Sequence, residues 1–200
     1  MAQQNPVGRF SLGMRSTLSM FNHEESTKGS GVGGHFRLRI LDRLNTEWFA
    51  DYLTSGYADA ASRRDYHIGW SVMYYLVDPK GFERKLTPYL ISGHCFDYSE
   101  LRMKPYPSLP VVSKGPVSRW TSAIQAGLGT HYNITPRFDL SLAAQYMMHF
   151  GKDLHLEVRE APALPGEAPS KYYAVEQEDH GGIEGHLLIS LSMNFKLGRL

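Results

Sequence analysis

Between Trp120 and Phe150 two period-two alternations face each other across a tight turn. On the first, Trp120, Ser122, Ile124, Ala126, Leu128 and Thr130 share one face. Thr121, Ala123, Gln125, Gly127, Gly129 and His131 share the other. Asn133-Ile134-Thr135-Pro136-Arg137 supplies the turn. On the second, Leu140, Leu142, Ala144, Tyr146, Met148 and Phe150 alternate with Asp139, Ser141, Ala143, Gln145, Met147 and His149. Alternation of this length predicts a half-buried β-hairpin. Its polar face is small and nearly uncharged, where a water-facing surface would carry Lys and Glu. Small polar groups suit a crowded interior, so the apolar face is expected to meet lipid.

The rest of the chain repeats the pattern. Strands are expected at Gly8–Phe21, Gly31–Leu41, Asn45–Thr54, Tyr66–Val77, Leu86–Tyr98 and Ile183–Leu197, besides the two of the hairpin. In Leu86–Tyr98 the facing is ambiguous, because Tyr89 and Ile91 compete with Leu90 and Phe96. Leu154 to Val158 are candidates to extend the wall. The eight strands are joined by connections that alternate long and short. The long ones include Ser55–Asp65, which carries Arg63 and Arg64; the short ones include Asp78-Pro79-Lys80-Gly81. Short turns at one end and long loops at the other mark an outer-membrane barrel. Trp48, Trp120, Phe21, Tyr132 and Phe150 stand towards strand ends, as interface girdles require.

Composition agrees with this reading. No run of eighteen apolar residues exists, so no spanning helix is encoded. Strands of about 9–11 half-apolar residues suffice for a barrel. The formal charge of +1 argues against a nucleic-acid partner. A single cysteine, Cys95, excludes an intramolecular disulfide. Met1-Ala2-Gln3-Gln4 has neither a basic start nor an apolar stretch, so the chain reads as a mature sequence with an added Met1. A soluble cytoplasmic protein is the alternative.

The stretch Gln125 to Tyr146 resembles the penultimate hairpin of small outer-membrane β-barrels of the OmpA/OmpX type. Thr87-Pro88-Tyr89-Leu90 followed by Gly93 is similar to the opening of their central strand. His186 to Leu197 resembles their closing strand. Phe195 would then be the late aromatic read by the barrel-assembly machinery, although Lys196 to Leu200 follow it. The expectation is an all-β, eight-stranded, antiparallel, up-and-down transmembrane barrel, as one domain over residues 1–200. It would sit in the outer membrane of a Gram-negative cell, with both termini periplasmic and the long loops extracellular.

Several inward residues invite chemistry. Arg15, Arg37, Arg39, Glu47 and Asp51 fall on neighbouring inner faces and are expected to form lumen ion pairs, since buried charges must be paired. His35, His149 and His186 point inward and are expected near the external rim. Their spacing supports neither a metal site nor a catalytic site. His94-Cys95-Phe96-Asp97-Tyr98-Ser99 holds a histidine and a serine close together. A lipid A deacylase barrel would carry His-x-Ser, but Phe96 stands two residues after His94.

No cofactor, metal or catalytic residue is expected. The expected role is structural or interaction-based, alone or as an accessory subunit of a larger envelope transport, secretion or assembly complex. The expected partners are outer-membrane lipid and lipopolysaccharide, the assembly machinery during insertion, and other outer-membrane or surface proteins through loops 99–118 and 151–182. A membrane-embedded lipid A hydrolase or acyltransferase is the second reading. A soluble ligand-binding barrel is the third.

Overall fold

The computed structural model describes residues 9–21, 28–57, 61–79, 84–103, 116–151, 153–160, 171–178 and 184–197. In chain order the strands are β1 (Phe10–Phe21), β2 (Gly29–Leu41), β3 (Leu44–Tyr57), β4 (Ala61–Tyr75) and β5 (Leu86–Met103). They continue with β6 (Val117–Thr135), β7 (Phe138–Phe150), β8 (Asp153–Glu160), β9 (Lys171–Glu178) and β10 (Glu184–Leu197). Eight of them close a barrel in the order β1-β10-β7-β6-β5-β4-β3-β2, with every neighbouring pair antiparallel.

Closure staggers the strands. Gly185 pairs with Met148, and the ladder leads on through Ile124, His94, Trp70, Trp48, Phe36 and Leu12. It returns to β10 at Phe195, ten residues beyond Gly185. A stagger of this kind goes with strands tilted by roughly 35–45° and an interior filled by side chains.

Alternation decides the two surfaces. Leu12, Met14, Leu18, Ile68, Trp70, Leu128, Leu142 and Leu191 are exposed on the outer wall, and Trp120 is 69 % exposed. Their neighbours in sequence, such as Thr17, His67, Ser71, Ser141 and Ser192, are buried inside. A surface apolar outside and polar within inverts the soluble pattern and suits hydrocarbon. Tyr52, Tyr66, Tyr98 and Trp120 pair across consecutive strands, with ring centroids 5.1, 5.9 and 5.0 Å apart. They form an aromatic row on the outer wall.

The structure corrects several boundaries. β3 and β4 run on to the pair Tyr57↔Ala61, so their connection is residues 58–60 rather than Ser55–Asp65. Arg63, Arg64 and Asp65 look like loop in sequence, but Arg63 and Asp65 pair with each other inside the barrel. The connection between β4 and β5 spans residues 76–85 and is the longer of the two. The long–short alternation is therefore not strict. In β5 the inner face is Tyr89, Ile91, Cys95, Asp97, Ser99 and Leu101. Leu154 to Val158 do not extend the wall. They belong to β8, which pairs only with β9 in a separate two-stranded sheet. Residues 104–115, with Pro105, Tyr106, Pro107 and Pro110, lie outside the described residues, as does Leu164.

Two turns are tight. Asp42-Arg43 joins β2 to β3, and Pro136-Arg137 joins β6 to β7. In the second, the Arg137 and Phe138 amides donate to Thr135 Oγ1 at 3.3 and 2.9 Å. These turns, residues 76–85, Phe10 and Leu197 define the turn end of the barrel; the opposite end is the loop end.

Leu142 and Leu191 are cross-strand partners on the outer wall. Leu142→Arg or Leu191→Arg should each lower folding stability in lipid vesicles by about 2–4 kcal/mol, measured by denaturant titration. Gly127 faces inward, and a Cβ there would overlap the β7 backbone at Ala144 and Gln145. Gly127→Leu should therefore fail to give the heat-modifiable folded band on gels.

Candidate functional site

The lumen is layered, and its central layer is ionic. Arg15 on β1 grips Asp51 on β3 through Nε, at 2.6 Å, and Nη2. Arg15 Nη1 lies 3.2 Å from Glu47 Oε1. Arg37 on β2 donates from Nε to Glu47 Oε2 at 2.6 Å and from Nη1 to Ser141 Oγ at 3.2 Å. Phe49 lies beneath the Arg15 guanidinium, 4.2 Å from Cζ to ring centroid. The chain makes room for this network at Gly33, where a Cβ would overlap the Asp51 carboxylate. Of the five inward charges read from sequence, these four come together. Arg39 does not join them; it lies nearer the turn end with no ion-pair partner among the described residues.

Below the ionic layer, at the turn end, lies a neutral-to-cationic network. Asn194 donates to Asp139 Oδ1 at 2.6 Å and to Ser141 Oγ at 2.8 Å. Lys196 sits 3.1 Å from Asp139 Oδ2 and donates to Asn133 Oδ1 at 2.6 Å. His131 bridges Ser141, at 2.5 Å, and the Tyr75 hydroxyl, at 3.1 Å. Towards the loop end Phe49, Leu53, Cys95, Ala123, Met147 and Leu188 form a buried apolar layer.

A histidine layer lies at the loop end. His67 Nε2 is 3.3 Å from Asp97 Oδ1, and His149 Nδ1 is 3.4 Å from Asp97 Oδ2. The His186 ring packs on both, with centroids 5.9 Å from His67 and 4.8 Å from His149. Ser99 Oγ joins Asp97 to Asp65, at 3.1 and 2.6 Å, and Arg63 Nε holds Asp65 at 2.8 Å. Among the described residues no three His, Cys, Asp or Glu side chains are arranged to hold a metal ion.

His149 and His186 thus meet as neighbours, but His35 is not with them. It contacts Asn194, in the turn-end half of β10. The ten-residue stagger explains this: equal distances along two strands are not equal heights in the barrel. Sequence alone does not single out His67, Asp97 and Asp65. His67 already alternates inward, whereas the ambiguous facing of β5 and the loop-like run 63–65 hide the other two.

The stretch holding His94 and Ser99 is split by the pleat. Ser99 points inward, while His94 points out between Trp70 and Ile124. The serine that His94 reaches is Ser122 on β6, at 2.7 Å from Nε2. No carboxylate contacts His94 among the described residues, so the pair lacks the third member of a triad. Cys95 is wholly buried in the apolar layer, without the electropositive, accessible setting of a reactive thiol. Phe195 lies on the outer wall, paired with Leu12 and Phe138.

A closed eight-strand wall, apolar outside and packed with polar side chains within, is the fold of small outer-membrane β-barrels of the OmpA/OmpX type. The chain is similar to Neisserial surface protein A, at 14 % identity and a TM-score of 0.60, covering 96 % of this chain and 99 % of that one. It is similar to a major outer membrane protein from Thermus thermophilus, at 12 % identity and a TM-score of 0.60, covering 94 % and 99 %. The N-terminal β-barrel domain of Pseudomonas aeruginosa OprF matches at 12 % identity and a TM-score of 0.53, covering 96 % and 99 %. No known family profile matches the chain, and no curated protein matches it either.

Glu47 serves both Arg15 and Arg37, so removing its charge strands buried Arg37 and leaves Arg15 with Asp51 alone. Glu47→Gln should destabilise the folded barrel by about 3–5 kcal/mol in vesicles. Arg37→Met/Glu47→Met should recover part of that loss, because Arg15 keeps Asp51. Denaturant titration of the three proteins reads both effects.

Proposed function

We propose that this chain is an integral protein of the bacterial outer membrane with a closed lumen and a structural or interaction role. The observation that carries this reading is the filled interior. A four-member ionic network, an apolar cluster and a histidine–carboxylate cluster occupy it together. An eight-stranded barrel has no width to spare beyond its own side chains. Phe10 and Leu197, where β1 begins and β10 ends, lie at the turn end, so in this proposal that end is periplasmic and the loop end external.

The β8–β9 sheet, which is not part of the barrel's strand ladder, lies on the connection between β7 and β10. Connections of this length are commonly functional. Together with residues 104–116 this region is the proposed contact for another outer-membrane or surface protein. Lipopolysaccharide would cover the wall, and the assembly machinery would read Phe195 during insertion. The whole chain is proposed to act as one barrel domain without enzymatic activity, alone or as an accessory subunit of an envelope complex.

Mild-detergent extraction from the native membrane, followed by native mass and proteomics of the same peak, tests the role. A large particle with stoichiometric partners is expected for a subunit, and a small monodisperse peak for a solitary barrel. In planar bilayers the purified protein should show no discrete conductance steps; regular steps would overturn the closed lumen.

The lipid-facing contact between His94 and Ser122 favours one second reading, a lipid hydrolase. There the Ser122 hydroxyl would attack an acyl ester with His94 taking its proton, the lipid alcohol would leave with that proton as the acyl–oxygen bond breaks, and water would then cleave the acyl-Ser122 ester to release the acid. Lipid mass spectra should be identical with and without expression of the protein. A loss of acyl chains that disappears in Ser122→Ala would establish the hydrolase instead.

A further inference from the structure

Arg39 is an inward charge without a counter-ion among the described residues, and it borders a cavity. The cavity opens at the turn end, measures about 30 Å³, and is lined by Arg37, Arg39, Asn45, His131, Asp139 and Lys196 among others. Every other full charge on its wall is already answered. Arg37 is held by Glu47 at 2.6 Å. Lys196 and Asp139 hold each other at 3.1 Å, and Asn194 also donates to Asp139. His131 is occupied by Ser141 and Tyr75. Arg39 is left over: its Nε is buried, and no group among the described residues accepts from it.

Arg39 as a whole is half-buried, but its Nε is shut off from water and has no acceptor among the described residues, which is costly for a donor of a charged group. A cavity of this size exceeds the roughly 10–15 Å³ that one water requires. It takes a monatomic anion or two waters, and is too small for a nucleotide, a sugar or an acyl chain. The neighbours that could complete a shell are donors: Lys196 Nζ and the Ser11 and Thr87 hydroxyls on the same wall. Asp139 is the one carboxylate facing in among the lining residues, and its two oxygens are taken by Asn194 and Lys196.

We propose that the turn-end cavity is a halide site, in which Arg39 Nε donates to a chloride ion that neutralises it and completes the polar network. The site is independent of the closed-lumen reading, because it lies at the mouth. It accounts for an arginine whose one neighbouring carboxylate among the described cavity-lining residues, Asp139, is already engaged by Lys196 and Asn194.

The test uses the full chain folded in detergent. Thermal unfolding is followed in sodium chloride and in sodium gluconate at equal ionic strength. Chloride should raise the midpoint saturably by a few degrees, as a ligand bound only to the folded state does; gluconate should not. Arg39→Gln should lose the chloride-specific shift, whereas Arg9→Gln, at the same end but exposed, should keep it. Equal midpoints in the two salts, or an unchanged shift in Arg39→Gln, would overturn the site. Crystals of the unaltered protein grown in bromide give a reading that does not depend on the variant folding. An anomalous peak within hydrogen-bond distance of Arg39 Nε is expected, and water density alone there would refute it.

Discussion

Hydrocarbon offers backbone amides nothing to bond to, and this constraint shapes the whole molecule. Among the described residues no helix is long and apolar enough to cross a membrane, so a continuous strand ladder has to satisfy the backbone. A ladder with an edge would leave a row of unpaired groups in lipid. Pairing β1 with β10 removes the edge. Once the ladder closes, every second residue of each strand must tolerate lipid and every other one must fit the lumen.

That lumen is narrow, and most of the side chains that line it are polar or charged. Its charges are stable only in company. Asp51 sits where Gly33 leaves it room and where Arg15 can grip it with two nitrogens. Glu47 is shared by two arginines from two different strands. The network therefore ties β1, β2 and β3 together from inside, independently of their ladders. On the loop-end side, Asp97 gathers histidines from β4 and β7, and His186 of β10 packs on them. The two ionic groups adjoin at the β3–β4 ladder, where Asp51 stands opposite His67, and the apolar layer of Phe49, Cys95, Met147 and their neighbours fills the lumen beside them.

Facing was legible wherever the alternation was clean. Trp120, Ile124 and Leu128 face outward and Ala123, Gln125 and Gly127 inward, because a period of two admits no other arrangement once one face is apolar. Facing was illegible in β5. Tyr89 and Ile91 are large and apolar yet lie inside, filling a lumen gap beside Tyr75 and Met73. Strand ends were illegible for a related reason. Ser62 to Asp65 has the composition of a loop, but the inward members neutralise each other, and the ladder carries on past them. His94 and Ser99 are close in sequence and opposite in space; His94 and Ser122 are the reverse.

The sequence by itself determined the class of wall: its alternation, its small, mostly uncharged hairpin inner faces and its lack of a spanning helix leave a membrane barrel as the consistent solution. It also identified Arg15, Arg37, Glu47 and Asp51 as inward charges in need of partners. Only the tertiary structure decided who those partners are and at what height each residue stands. Height depends on the stagger that closure imposes, ten residues in one circuit, and that stagger is a property of all eight ladders at once. It carried His35 away from His149 and His186 and left Arg39 at the mouth with no ion-pair partner among the described residues, while the β4–β5 register set His67 opposite Asp97.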